Sequence, residues 1–140
     1  MRKILFVCTG NTCRSPMAHA ILLKLLKERL EGEEFKKYSV LSAGIFAIDG
    51  LPASDKAKEV MLLNNIDLSK HTSRQVSHDL IANADIILTM TRAHRDQLAD
   101  MFPTHVQRIL TIGEFSGKFE DITDPFGWGK EAYMATYNQL

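Results

Sequence analysis

Lys3-Ile4-Leu5-Phe6-Val7 leads without a break into Cys8-Thr9-Gly10-Asn11-Thr12-Cys13-Arg14-Ser15-Pro16, and beyond Pro16 the chain turns amphipathic. A nearly continuous β-rich run suits a central parallel strand covered on both faces. Ala18, Ile21, Leu22, Leu25, Leu26 and Leu30 then recur at helical spacing, which predicts a helix to about Glu31 with Ser15 as its cap and Pro16 in its first position. The stretch between is therefore a strand-to-helix turn. Such a turn aims unsatisfied backbone N–H groups at one point, and the helix end adds partial positive charge, which makes a ready anion site.

A phosphate-sized dianion is the natural guest, cradled by the amides of Thr9, Gly10, Asn11, Thr12, Cys13, Arg14 and Ser15. A thiol at the base of this nest is expected to ionise below its free value of about 8.5, because amides and a cation favour thiolate. Cys8 then reads as a nucleophile. Arg14 offers a rigid fork of donors that can hold two oxygens of a phosphoryl group at once, which a lysine cannot. The plainer alternative makes Cys8 a buried strand-end thiol and Arg14 a surface ion-pair partner. Asn11 suits a left-handed position in a tight loop and is expected to act as scaffold.

Outward from the loop, strands and helices alternate. Tyr38 to Ala43 predicts a second strand, followed by Gly44 and a small-residue loop to Pro52. Ser54 to Asn65 predicts a helix with Ala57, Val60, Met61 and the Leu62-Leu63 pair inward. A third strand at Ile86–Met90, a helix over about Arg92–Met101, a fourth strand at Arg108–Ile112 and a terminal helix complete the pattern. A polar loop through Asp124-Pro125-Phe126-Gly127-Trp128-Gly129 precedes that last helix. No repeat or linker interrupts the order, so residues 1–140 read as one three-layer α/β/α sandwich with right-handed crossovers. Ligands in such sheets sit beyond the strand carboxyl ends, where the Cys8 loop lies.

The 17 basic and 17 acidic residues balance, with no basic stripe for nucleic acid and no acidic tail. The apolar run after Met1-Arg2-Lys3 is too short for a signal core or a membrane span, so the chain reads as soluble and cytoplasmic. Two cysteines with four residues between them suggest chemistry rather than a staple. His19, His71, His78, His94 and His105 lack the paired spacings of a zinc site.

Cys8, Arg14, Ser15 and Pro16 near the amino terminus, with Asp124-Pro125 near the carboxyl terminus, resemble the low-molecular-weight protein tyrosine phosphatases over nearly the whole chain. The resemblance implies a flavodoxin-like fold with a four-stranded parallel sheet, no metal or other cofactor, and a phosphocysteine intermediate. Residue by residue it implies Cys8 as nucleophile, Arg14 and the loop amides as cradle, and Asp124 as general acid. A departing phenolate, whose conjugate acid has a pKa near 10, leaves poorly unless protonated. Without Cys8 in view, the residue chemistry of Asp124-Pro125 favours a plain turn initiator. The family's loop braces fall here on Asn11, Ser15, Ser42 and His71, although a surface or capping role for His71 and a plain strand-end hydroxyl for Ser42 stand beside that reading. Cys13 is either a partner for reversible oxidation of Cys8 or a small packing residue.

Substrates are expected to be phosphorylated proteins, with inorganic phosphate as product and with neither nucleic acid nor membrane as partner. Thr12 stands where tyrosine-specific relatives carry a bulky aliphatic residue, and Asp124-Pro125-Phe126-Gly127 resembles the protein arginine phosphatase branch, as do Thr91 and the Ser42–Phe46 stretch. A threonine hydroxyl can pair with a guanidinium N–H that an aliphatic wall would leave unpaired. Phe126 and Trp128 would stack equally well on a phenyl ring. The balance leans slightly to phosphoarginine, with phosphotyrosine close behind. A phosphocysteine carrier module, an arsenate reductase and a non-catalytic phosphoprotein-binding module are the competing classes. The carrier has no use for Asp124, the reductase wants later cysteines, and the binding module needs no thiol.

Overall fold

The computed structural model describes residues 2–118 and 120–140. Strand β1 (Arg2–Cys8) lies inside a four-stranded sheet of order β2-β1-β3-β4, between β2 (Tyr38–Gly44) and β3 (Ile86–Thr89), with β4 (Ile109–Thr111) at the far edge. All pairings are parallel. Alternation along β1 divides its side chains between two cores. Leu5 and Val7 join Ala43, Ile87 and Ile109 under α4 (His78–Asn83) and α5 (Arg92–Met101), through Ile81 and Leu98. Phe6 and Cys8 face the other way with Val40, Leu88 and Met90, against Ala18 of α1 (Arg14–Arg29). Outside α1, a third cluster joins Met17 to Ala57, Val60 and Met61 of α3 (Asp55–Leu63) and to Tyr133 of α7 (Lys130–Gln139). Burying both faces of the sheet is what a β1 without polar alternation requires.

The order also sets where a ligand can sit. From β1 the chain crosses to β2 on one side, then returns past β1 to β3 on the other, which opens a crevice at the carboxyl ends of β1 and β3. The Cys8 loop leaves the sheet at that point.

The expected strands and long helices are present with small shifts of boundary. Short elements fill what read as loops: α2 (Glu33–Lys36), α4, a 3-10 turn (Pro103–Arg108) and α6 (Ile112–Ser116). None exceeds six residues, which gives too few turns for apolar periodicity to show. Three details correct the sequence reading. Helix α1 ends at Arg29 rather than Glu31, and it starts at Arg14 with Cys13 in the capping position, so Ser15 is not the cap. Its hydroxyl is committed elsewhere. Leu62 and Leu63 are exposed, not inward, because α3 ends there and only Val60 and Met61 reach the core. Leu25 is likewise exposed.

Candidate active site

The loop from Cys8 to Arg14 is turned inside out by its neighbours. Cys8 O accepts from Ile45 N–H at 3.0 Å, Thr9 O from Phe46 N–H at 2.9 Å, and Thr12 O from Ser54 N–H at 2.9 Å. His71 Nε2 donates to Asn11 O at 2.7 Å. With the carbonyls drawn outward, the loop's own amides face inward, and those of Gly10 to Cys13 have no carbonyl partner among the described residues. Asn11 makes the turn possible. It takes φ +57°, a left-handed value that asparagine tolerates, while its side chain accepts from Arg74 N–H at 3.0 Å and donates to Ser15 Oγ at 2.8 Å.

Gly44 closes this scaffold from β2. A Cβ there would sit 2.5 Å from Thr9 O and 3.0 Å from Asn11 N, so the loop backbone packs where any other residue would put a side chain. In the sequence Gly44 stands only as the residue that follows the second strand. Its signal was available, since a glycine closing a strand beside a phosphate loop marks close backbone approach.

Cys8, Thr9, Gly10, Thr12, Cys13, Arg14, Asp124 and Phe126 line one pocket of about 230 Å³ at the mouth of this loop. Cys8 Sγ lies at its base, buried and 2.9 Å from Ser15 Oγ. Burial is the largest influence on that thiol and pushes it up from its ordinary value. The Ser15 hydroxyl, the amides of Ser15 and Asn11, and the Arg14 charge pull it back down. The expectation of a thiol lowered below the free range is thereby corrected: desolvation of a thiolate at the end of a buried strand outweighs the dipoles around it. Ser15→Ala removes the first of the opposing pulls. Alkylation of Cys8 by iodoacetamide should slow at neutral pH, with its rate-pH profile moved upward, because less of the sulfur is thiolate once that pull is gone. An unmoved profile would show that Ser15 does not tune the sulfur.

Arg14 is buried, with Nη1 donating to Ile122 O at 3.1 Å and Nη2 3.5 Å from Asp124 Oδ2. Asp124 is half exposed and its Oδ1 also accepts from Phe126 N–H at 3.0 Å, so the turn-forming role and the place at the pocket both hold. Thr12 and Phe126 reach the lining. Trp128 does not: it stands exposed in a separate hollow with residues 129–132, and its carbonyl takes Lys56 Nζ at 2.9 Å.

Of the expected braces, Asn11, Ser15 and His71 touch the loop. Ser42 is buried but its hydroxyl meets His19 Nδ1 on α1 at 3.5 Å, so it supports the loop at most through the helix that follows. Cys13 is a free thiol like Cys8, turned into the third cluster where Sγ meets Ser54 Oγ at 3.4 Å and Tyr133 OH at 3.3 Å. Burial, with Cys13 next in weight, raises the Tyr133 phenol to about 12 against a lowering pull from Ser54. His94, read from sequence only as an unpaired histidine, is buried behind Thr9 with Nε2 2.8 Å from Thr9 Oγ1. The crevice at the end of β3 was the clue to it, since α5 starts there.

Residues 3–140 match the family described as low molecular weight phosphotyrosine protein phosphatase. The chain belongs to that family. It is 41% identical over 139 residues to a protein-arginine-phosphatase of Geobacillus stearothermophilus, covering 99% of this chain and 88% of the relative. It is 38% identical over 138 residues to the low molecular weight protein-tyrosine-phosphatase PtpB of Staphylococcus epidermidis, covering 99% and 91%. Among solved structures it superposes with a TM-score of 0.88 on a YwlE arginine phosphatase variant with a phosphorylated active-site serine in place of cysteine. That pair is 37% identical, and the match covers 98% of this chain and 87% of the other. The flavodoxin-like sheet of these phosphatases is the one found here.

Proposed function

We propose that the chain is a protein phosphatase that forms a phosphocysteine on Cys8 and releases inorganic phosphate. The observation that carries this reading is the convergence of inward loop amides, the buried Arg14 fork and the Cys8 sulfur on one pocket. In the first transfer Cys8 Sγ attacks phosphorus in line with the leaving atom, and the S–P bond forms as the bond to the leaving group breaks. Arg14 and the amides hold the equatorial oxygens, where charge spreads in a loose transition state. A dianion in the pocket takes the guanidinium now beside Asp124, which frees Asp124 Oδ2 to take up the proton the Cys8 thiol loses as it attacks and to hand that proton to the leaving atom. The same carboxylate then takes a proton from the water that attacks the phosphocysteine. Ser15 Oγ, already on the sulfur, supports it as a leaving group. For Cys13 to trap an oxidised Cys8, its sulfur must first leave Ser54 and Tyr133.

Phosphoarginine is the preferred substrate in this reading, with phosphotyrosine second. Thr12 lines the pocket, and its Oγ1 has only a loose 3.8 Å contact with Cys13 Sγ, so it is free to accept from a guanidinium. Phosphate release from phosphoarginine and phosphotyrosine peptides, compared in wild type and Thr12→Ile, tests the choice. The isoleucine is expected to shift the ratio toward phosphotyrosine by about tenfold, the worth of one hydrogen bond to a charged partner. A ratio that does not move removes Thr12 as selector. Failure of the wild type to release phosphate from either removes the reading.

A further inference from the structure

Among the described residues, one buried side-chain polar atom has no hydrogen-bond partner: Nδ1 of His94. Such atoms are rare and cost stability, so one that persists calls for an explanation. The ring is 5% exposed, on the first turn of α5, and its other nitrogen reaches across 85 positions of chain to Thr9 Oγ1 at 2.8 Å. Thr9 is the first residue after the sulfur and lines the pocket.

We propose that His94 is a positioning residue for phosphoryl transfer: its Nε2–H donates to Thr9 Oγ1, which turns the Thr9 O–H proton toward a phosphoryl oxygen in the pocket. The inference rests on the phosphatase reading above. The tautomer follows from the surroundings. A proton on Nδ1 would be a buried donor with no acceptor, set near the Arg14 charge, whereas a lone pair there is favoured by the guanidinium. Nε2 then carries the proton, and Thr9 Oγ1, having accepted one hydrogen bond, keeps its own hydrogen to give. Burial, with Arg14 next in weight, lowers the His94 pKa to about 4, so the ring stays neutral and adds no cation to compete with Arg14. The hydrogen bond also ties the loop after β1 to the helix after β3 across the crevice.

The test is a double-mutant cycle on kcat/KM for p-nitrophenyl phosphate, with inorganic phosphate as competitive inhibitor. Thr9→Val and His94→Phe are each expected to lower kcat/KM and weaken phosphate inhibition by about tenfold, and the double variant to fall no more than about twofold below either. His94→Gln, whose amide nitrogen matches Nε2, should recover activity to within about threefold of wild type, whereas His94→Asn, whose amide matches Nδ1, should not. Nitrogen NMR shifts should show His94 neutral with its proton on Nε2. Multiplied losses in the double variant, wild-type kinetics in His94→Phe, or a proton on Nδ1 would each overturn the inference. Should His94→Phe not fold, His94→Gln against His94→Asn and the exposed Thr9→Val decide it. A wild type without turnover would instead bring down the phosphatase reading.

Discussion

Cys8→Ser is expected to lower turnover of aryl phosphates by at least about 10⁴-fold while leaving the fold and the anion cradle in place. The argument starts from what the substitution does not change. Oxygen is smaller than sulfur, the position is buried at the end of β1, and a serine there still meets Ser15 Oγ. The outward carbonyls are held by Ile45, Phe46, Ser54 and His71, none of which touches the sulfur. Phosphate binding measured by calorimetry should therefore survive, and the melting temperature should move only by the few degrees that about 1 kcal/mol produces in a domain of this size. What is lost is the nucleophile, since an alcohol ionises far less readily than a thiol and has no base beside it to help. Rapid acid quench of the wild type should find phosphorus on residue 8. Turnover by Cys8→Ser near the wild-type level, or product forming without a phosphorylated residue 8, would sink covalent catalysis through Cys8.

Which parts of this site could be read from the chain depends on how far each signal reaches. The strand, loop and first helix were legible because they are contiguous: apolar run, glycine-bearing turn and helical spacing sit side by side. So was the sheet, since four apolar runs separated by helices leave few arrangements. Among the supports of the loop, Asn11 was legible from its residue type and His71 only through the family resemblance, whereas Arg74 and His94 were not legible at all. Asn11 is held by Arg74 and His71, sixty and more positions away, and Thr9 by His94, so their roles exist only once the chain crosses between strands. Ser15 misled in another way. Its place before an amphipathic helix is the usual signature of a cap, but tertiary contact with Cys8 and Asn11 claimed the hydroxyl. The Cys8 thiol misled through burial, which no local pattern of residues reveals. Trp128 looked equivalent to Phe126 two residues earlier, yet the turn made by Asp124 and Gly127, at φ +83°, sends only the first to the pocket.

Asp124→Asn should separate a proton donor from a mere partner of Arg14, because the two roles predict different dependence on the leaving group. As an ion pair the contact is worth little: one side chain is half exposed and the separation is 3.5 Å, so about 0–1 kcal/mol of stability is at stake. Any loss of rate beyond that is chemical. If Asp124 gives its proton to the leaving atom, kcat/KM should fall by about 10²–10⁴-fold where that atom is basic, as in a phenolate of pKa about 10 or a guanidine of pKa above 12. It should fall far less for p-nitrophenolate, which departs unaided. Choosing kcat/KM matters, because it reports only the steps through the first transfer, whereas kcat also carries hydrolysis of the phosphocysteine, common to every substrate. Loss of the base in that second step should appear separately, as a burst of p-nitrophenol followed by slow turnover. A uniform fall in kcat/KM across all leaving groups would place the defect in Arg14, whose grip on the phosphoryl oxygens does not depend on what departs, and would remove Asp124 as the acid.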